Sequence, residues 1–471
     1  MASPVPNDEA LARVHEGWDH FRFQRPLAAW ASWQRALRLD PEHPAARQAI
    51  DFLAGAADLP ADARAVHRFR APRDAARRAQ WNERLGRRDL DDLAEAAETF
   101  AALADDDPRD SPARYNHALC AAWMGRNAEA IASLDHVVSL QADDDIGYAV
   151  EAWSLAEILR QGAGAEPLAD DLRYIVAAPA LDEEDVSRLA RQPGLLRVPM
   201  PHDPSIRTDL AGTSVFEWLD RPLPPPDASD LTAADLPRLL ATVVASPGSL
   251  RLSSPDPLTL EEAQARLVDV FGDRALPFRR EATPLPLGLL DAAVWTFRLP
   301  RGLDDQVQCR CTRDAVEHYF ENLWIHAPRQ GLDDRTPREA SLAVDSGDPI
   351  ARAKLAAIVR IREQLGARSP TARLYQGYPF DRLRRRLGLT PNDPATVDPG
   401  DCASMGGKDL GRLDPATLDD PRLAEAYQSA SSLRDESASG RFAAELVRRD
   451  APSARARFGL PSFDPTGKVR P

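Results

Sequence analysis

The pattern of apolar positions repeats with a period of 34 residues over part of the first third of the chain. Six pairs of similar residues stand 34 positions apart: Trp81 and Tyr115, Asn82 and Asn116, Leu85 and Leu119, Ala96 and Ala130, Phe100 and Leu134, and Leu103 and Val137. Apolar residues recur at helical spacing over 79–88 and 92–105, and again over 112–124 and 127–140. The pattern therefore predicts two helix-turn-helix units in tandem.

The residue types at the ends and contacts of these helices agree with that prediction. Ala96 and Ala130 stand where the second helix of each unit approaches the first, and closely packed helices leave room for little more than a methyl group. Asp107-Pro108 closes one unit because proline cannot continue the preceding helix. Gly125 supplies the left-handed residue that ends many helices.

These units resemble tetratricopeptide repeats. Within Ala113–Leu140, four residues stand at the signature places of that family: Ala118, Gly125, Ala130 and Leu134. An earlier segment resembles another repeat through Gly17, Ala29, Trp33, Ala36, Leu39 and Asp40-Pro41. Residues 44–78 have space for a degenerate repeat, residues 145–172 predict helices that cap the array, and the resemblance covers about the first 175 residues.

The resemblance implies a groove that binds another protein or a peptide, since stacked repeats present an extended concave surface. The residues expected to line it are Trp81, Asn82, Leu85, Tyr115, Asn116 and Leu119. In family members that clamp chaperone tails, an asparagine at the place of Asn82 and Asn116 holds a terminal carboxylate. Here aromatic residues replace the lysine before each asparagine and leucines replace the asparagine three residues after it. The groove is therefore expected to suit an amphipathic helix or an extended apolar peptide. The alternative is that these side chains only pack against neighbouring helices.

Residues after 178 show different patterns. The prolines between 199 and 226 indicate an irregular connection, placed at 179–236. Ser249–Ser253 predicts a strand, and Thr259–Phe271 predicts a helix with Thr259 and Glu262 as its capping box. Alternating side chains at 294–299 and 307–311 predict two more strands. Together these segments predict a small α+β unit.

Helical signals return beyond Thr312. Thr336-Pro337-Arg338-Glu339 is a capping box, Asp348-Pro349 opens a helix that runs to Gly366, and a short basic helix spans 380–387. Later helices are expected at 422–433 and 439–449, and residues 456–471 are expected to be a disordered tail. The predicted fold class is mainly α, with repeats at 1–178 and an α+β and then helical region at 237–455.

Charge and cysteine content narrow the functional classes. The net charge of -14 argues against a nucleic-acid or anionic-membrane binder, and the basic charge is carried almost wholly by arginine. Four scattered cysteines imply no disulfide framework. No charged segment followed by an apolar run is present at the start, and no apolar stretch approaches bilayer length, so a cytoplasmic location is expected.

Three groups of residues in the C-terminal region are candidates for chemistry. Cys309 and Cys311, with His318 and His326, have ligand types that suit zinc, although two thiols on one strand face also fit a buried core. Four arginines at 382–386 could bind phosphates or form an exposed face. Glu317, His318, Glu321 and His326 could supply an acid and a base or pair on a helix surface.

Sequence motifs of enzymes are not found. Residues 406–409 are not a P-loop, because the upstream glycine is missing and Asp409 replaces the magnesium-binding hydroxyl. No cofactor is predicted. Trp324–Ala340 loosely resembles the toxin-binding part of some bacterial antitoxins. Two hypotheses remain: a non-enzymatic, peptide-binding scaffold, or an effector, enzyme or antitoxin-like regulator that the repeats recruit.

Overall fold

The computed structural model describes 14 ranges of the chain. These are residues 8–23, 25–56, 67–72, 79, 92–161, 172–179, 182–198, 213–228, 230–246, 249–254, 257–271, 279–284, 297–367 and 378–449. The fold is mainly α, with a small antiparallel sheet in the middle of the chain. The helices, strands and contacts that the structure describes are those of these 14 ranges.

Helical hairpins form the N-terminal part. Its helices are α1 (Asp8–Arg22), α2 (Pro26–Leu39), α3 (Pro44–Gly55), α4 (Leu93–Asp106), α5 (Ser111–Trp123), α6 (Asn127–Gln141) and α7 (Ile146–Gln161). Each helix from α4 to α7 packs against the next, as do α1, α2 and α3, and α2 also contacts α5. The predicted helices at 92–105, 112–124 and 127–140 are therefore confirmed. The first predicted helix, 79–88, lies almost wholly outside the described residues.

Local chemistry explains where these helices begin, end and touch. The side chain of Asp110 accepts a hydrogen bond from the Ala113 amide at 3.0 Å and caps α5. Gly125 follows α5 with a φ of 76°, in the left-handed region expected of it. A Cβ on Gly17 would lie 2.1 Å from Nε1 of Trp33, so only glycine permits the close approach of α1 to α2.

The central part contains six strands in one antiparallel sheet of order β2-β3-β4-β5-β1-β6. They are β1 (Leu172–Pro179), β2 (Leu195–Val198), β3 (Ser214–Leu219), β4 (Leu239–Ser246), β5 (Ser249–Ser254) and β6 (Arg279–Pro284). Two helices, α8 (Glu183–Leu189) and α9 (Pro257–Phe271), accompany the sheet, and α9 packs on β4, β5 and β1. Their shared core includes Leu189, Phe216, Trp218 and Leu267.

The predicted irregular connection at 179–236 is corrected by this sheet. It contains α8, β2 and β3, and Phe216 and Trp218 of β3 are buried against the central core. The prolines of this region are a local pattern that predicts an irregular chain. The strands were missed because they are stabilised by pairing with segments that are distant along the chain.

Two further boundaries differ from the sequence prediction. Helix α9 begins at Pro257, so Thr259 is inside it; the Thr259 hydroxyl pairs with the Ser254 hydroxyl at 2.8 Å instead of capping. The predicted strand at 307–311 is helical, within α10 (Asp305–His318), because Asp304 accepts from the Gln306 and Val307 amides and starts a helix. Of the strand predicted at 294–299, only 297–299 are described, and Phe297 forms an isolated bridge with Arg238.

Helices also build the C-terminal part. After α10 come a π-helical turn (Tyr319–Leu323) and then α11 (Pro337–Asp345), α12 (Pro349–Gly366), α13 (Phe380–Arg386), α14 (Gly407–Arg412), α15 (Asp420–Ser432) and α16 (Glu436–Arg448). Thr336 and Glu339 form the predicted capping box of α11. The predicted helices near 380–387, 422–433 and 439–449 are confirmed with slightly different ends.

One hydrophobic core joins the N-terminal and C-terminal helices. It runs from Leu27 to Leu159 in the hairpins and from Val316 to Leu446 beyond the sheet, and α12 packs along α7. The C-terminal helices are therefore not a separate module, and the sheet is an insertion between two halves of one helical core. Within the described residues, none of the helices combines the length and apolar character needed to cross a membrane.

Candidate functional site

Residues 67–72 lie across α5 and α7 and are held there by Asn116. The Arg70 amide donates to Oδ1 of Asn116 at 2.7 Å, and Nδ2 of Asn116 donates to the Arg70 carbonyl at 2.8 Å. In an extended residue the N–H and C=O point to the same side, as they do in a hydrogen-bonded pair of antiparallel strands. The buried Asn116 amide thus takes the place of a neighbouring strand and grips one residue of backbone.

The side chain of Arg70 occupies an aromatic and acidic site between the same two helices. Its guanidinium lies 4.0 Å from the ring centroid of Tyr148 and 5.1 Å from that of Tyr115. It also forms an ion pair with the carboxylate of Glu151, which accepts a hydrogen bond from the Tyr115 hydroxyl at 3.1 Å. Two rings and a carboxylate therefore satisfy one planar cation.

Burial and charge keep both tyrosines of this site protonated. Burial raises the pKa of Tyr115, and the nearby Glu151 carboxylate raises it further. Burial also raises the pKa of Tyr148, while the charge of Arg70 acts in the opposite direction. The Tyr115 hydroxyl therefore stays available as a donor and orients Glu151 toward the guanidinium.

Phe69 enters an apolar site on the other side of the gripped residue. Its ring centroid lies 5.0 Å from that of Phe100 on α4 and 5.5 Å from that of Trp123 on α5. Trp30 of α2 packs against Trp123 in turn, with ring centroids 6.0 Å apart. Helices α2, α4 and α5 thus form a pocket for an aromatic side chain. We call the surface made by Phe100, Tyr115, Asn116, Trp123, Tyr148 and Glu151 the groove.

The structure describes only half of the groove residues predicted from the repeat. Trp81, Asn82 and Leu85 lie outside the described residues. Tyr115, Asn116 and Leu119 are buried. Tyr115 and Asn116 both contact Arg70, whereas Leu119 belongs to the hydrophobic core.

Sequence reasoning missed Tyr148, Glu151 and the segment that they hold. The repeat period did not single out Tyr148 or Glu151, although their spacing of three residues places them on one helix face. One feature of the segment itself indicates an irregular chain: Pro72 lies in a stretch without helical periodicity.

The arginines of α13 form a second cluster, inside the C-terminal part. Arg382 donates from Nε to Glu321 at 2.6 Å and from Nη2 to Glu317 at 2.8 Å. Arg386 is 2% exposed and donates to the Ala403 carbonyl at 2.5 Å and the Ser429 hydroxyl at 2.9 Å. These contacts connect α13 with α10, the π-helical turn, the turn at Ala403 and α15. The predicted exposed basic face is therefore wrong for Arg386 and for the buried Arg384.

Two of the predicted acid–base candidates meet in this cluster. Burial raises the pKa of Glu317, and the charge of Glu321 adds to the shift. Burial acts to lower the pKa of Arg382, but the hydrogen bond and charge of Glu321 raise it. The π-helical turn contains Glu321 and places it against α13. The cluster is therefore a network of paired charges.

The two histidines lie elsewhere. His318 pairs with Asn322 at 3.3 Å, and His326 contacts the Ser432 carbonyl at 2.5 Å. Burial lowers the pKa of both imidazoles. The acid–base candidates are thus split between separate surroundings.

The cysteines predicted to share one face do not do so. Cys309 is exposed and Cys311 is buried, since two residues in a helix turn the side chain by about 200°. The Cys311 thiol donates to the Leu231 carbonyl at 3.3 Å. Within the part of the chain that the structure describes, no group of three or more His, Cys, Asp and Glu side chains is arranged to hold a metal ion.

A cleft of about 450 Å³ is lined in part by residues of the segment 406–409. Lys408, Asp409 and Arg385 line it. Arg385 is held by the backbone carbonyls of Asp398 at 2.6 Å and Pro399 at 2.8 Å, so its charge supports a loop.

The segment that resembles antitoxins is built into the helical core. Trp324 and Arg329 are each 1% exposed. A Cβ on Gly331 would lie 2.9 Å from the Trp153 ring of α7, which shows how closely this turn packs on the N-terminal hairpins. Its use as a toxin-binding surface stays a prediction.

Comparisons with protein-family models, with curated protein sequences and with solved structures find no match for this chain.

Proposed function

We propose that this protein is an interaction scaffold whose helical hairpins bind an extended segment of a partner protein in the groove. One observation carries the proposal: Asn116 makes two hydrogen bonds to the backbone of Arg70, a residue that does not belong to the helices on which it lies. A backbone grip of this kind accepts any extended chain, and pockets on either side add specificity.

The surroundings of Asn116 support binding of a peptide. The amide is buried, and losing its partners would leave a polar group unsatisfied at a cost of about 1–3 kcal/mol. A peptide with a similar backbone restores both hydrogen bonds. The resemblance of the hairpins to tetratricopeptide repeats leads to the same proposal, since the first helices of such repeats line the binding surface.

The test uses a fluorescent peptide with the sequence of residues 65–74, AVHRFRAPRD, and the full chain carrying Phe69→Ala and Arg70→Ala. These two changes remove the side chains that hold the resident segment, and we call this variant the released chain. Fluorescence anisotropy is expected to show saturable binding. Adding Asn116→Ala is expected to weaken binding about thirtyfold, because two hydrogen bonds with net values of about 1 kcal/mol each are lost.

Asn322→Ala is the matched control, since it makes the same substitution outside the groove. Circular dichroism checks that each variant is folded. If Asn116→Ala does not fold, Asn116→Asp replaces it, because the carboxylate keeps the acceptor but loses the donor. A released chain that binds no peptide, or that binds equally well without the Asn116 amide, contradicts the proposal.

A further inference from the structure

We infer that the groove selects a segment in which an aromatic residue is followed directly by arginine, and that the chain's own residues 67–72 are a resident competitor for it. This inference rests on the proposed function and names its ligand. Two side-chain sites lie beside the hydrogen bonds of Asn116. Phe69 occupies one site and the next residue, Arg70, occupies the other. Their chemistry defines the ligand.

The arginine site distinguishes a guanidinium from other cations. The Tyr148 ring centroid lies 4.0 Å from Cζ of Arg70, and the Glu151 carboxylate accepts a hydrogen bond from Nη2 of the same guanidinium. A guanidinium is planar, so it can stack on a ring while donating along its edge to a carboxylate. A lysine ammonium is a strongly hydrated point charge and cannot make both contacts in this way.

The aromatic site lies on the opposite side of the gripped residue. Successive side chains of an extended backbone point in opposite directions. Phe69 accordingly lies against Phe100 of α4, while Arg70 lies between α5 and α7. A peptide of reversed sequence would place each side chain at the wrong site, so the groove reads both residue type and chain direction.

The residues on either side of Phe69 and Arg70 do not enter such sites. Arg68 and Ala71 are exposed, whereas Phe69 and Arg70 are half-buried. Arg68 therefore offers a control inside the same segment: it has the same side chain as Arg70 but lies outside the aromatic and acidic site.

Occupancy of the groove by the chain's own residues 67–72 lowers the apparent affinity for any partner peptide. A tethered segment competes at an effective concentration of about 1 mM, because binding is intramolecular. A free peptide with the same contacts is therefore weakened by occupancy, and a partner must either make further contacts or arrive when the segment is released. The groove is in this sense occupied in its resting state.

The experiment measures four peptides on the released chain and on the unaltered chain. The peptides are the 65–74 sequence and versions with Arg70→Lys, Arg70→Ala or Arg68→Ala. On the released chain we expect Arg70→Ala and Arg70→Lys to weaken binding about tenfold, and Arg68→Ala to change it less than about twofold. The unaltered chain is expected to bind the parent peptide at least tenfold more weakly than the released chain.

Glu151→Gln in the released chain tests the arginine site directly. It should weaken the parent peptide several-fold and leave the Arg70→Ala peptide unchanged, as a double-mutant cycle requires for a direct contact. Glu129→Gln, on the exposed face of α6, is the matched control.

The outcomes separate the two proposals. If all four peptides bind the released chain equally well and depend on Asn116, the scaffold function stands and the aromatic–arginine ligand is wrong. If the parent peptide binds both chains equally, residues 67–72 are not a competitor. If no peptide binds the released chain, the proposed function itself is wrong.

Discussion

Two arginine sites in this protein use the same chemistry in different structural settings. Arg70 and its partner Glu151 are 35% and 33% exposed at their side chains, and they join a six-residue described segment to the surface of two helices. Arg382 and its partner Glu321 are 19% and 6% exposed, and they join helices that share one core. The first arrangement is the one that we propose to be released and refilled, whereas the second holds elements of the core together.

The two sites differ in how well water can solvate the carboxylate partner when the arginine is removed. Loss of Arg70 lets water reach Glu151, which is already partly solvated. Loss of Arg382 leaves Glu321 buried without its principal partner, and an unpaired buried charge is costly. Ligand sites are therefore expected at the first kind of cluster, and architectural support at the second.

The largest effect is expected for Arg382→Ala. It removes the hydrogen bonds to Glu317 and Glu321 and should lower the free energy of unfolding by about 3–5 kcal/mol, the usual cost of breaking a buried pair. Urea denaturation followed by circular dichroism measures this change. Arg412→Ala is the control, because that side chain is 71% exposed and should cost less than about 0.5 kcal/mol. If Arg382→Ala and Arg412→Ala lowered stability equally, the Arg382 site would have no structural role, and its distinction from the Arg70 site would be lost.

A smaller effect is expected for Arg70→Ala. The ion pair and the contacts with two tyrosine rings are half-exposed, so their loss should lower stability by about 1 kcal/mol. The same urea titration measures it, with Arg68→Ala as the control at an exposed position two residues away. A loss as large as that of Arg382→Ala would place residues 67–72 among the structural elements and argue against their release.

The smallest effect concerns pH. Burial lowers the pKa of His326 below its ordinary value of 6.5. The hydrogen bond with the Ser432 carbonyl acts in the opposite direction, and the charges of Arg434, Arg338 and Arg386 lower the pKa further. The neutral imidazole is thus favoured in the folded state, so its contribution is complete above pH 6.5 and is lost as the pH falls through the lowered pKa.

His326→Gln should flatten this part of the stability profile between pH 7.5 and pH 5, measured by urea denaturation at each pH. The pH range is chosen around the ordinary imidazole pKa of about 6.5. His15→Gln, on α1, serves as the control. An unchanged slope in the His326 variant would show that folding does not lower the pKa of this imidazole.

Sequence patterns predicted those features that depend on neighbours along the chain. Gly125 and the Thr336–Glu339 capping box were recognisable because each acts within one turn of its own helix. The strand predicted at 307–311 failed for a related reason: apolar residues at 307, 309 and 311 fit alternation, but 307 and 311 also fit one helix face. The cap at Asp304 decided between the two patterns.

The groove could be anticipated only in part. The 34-residue period singled out Tyr115 and Asn116, and both contact the resident segment. Nothing local to residues 67–72 indicated that Arg70 would meet Glu151, which follows it by 81 residues. Contacts at such separations depend on how the helices stack.

The sequence by itself therefore determined the helical hairpins, their period and their ends, since these follow from side chains within a few residues of one another. Only the tertiary structure decided that residues 67–72 cover Asn116, that Arg382 pairs with the buried Glu321, and that the helices before and after the sheet share one core. The physical reason is that burial and charge pairing depend on surfaces brought together from distant parts of the chain, where a local pattern carries no record of its partner.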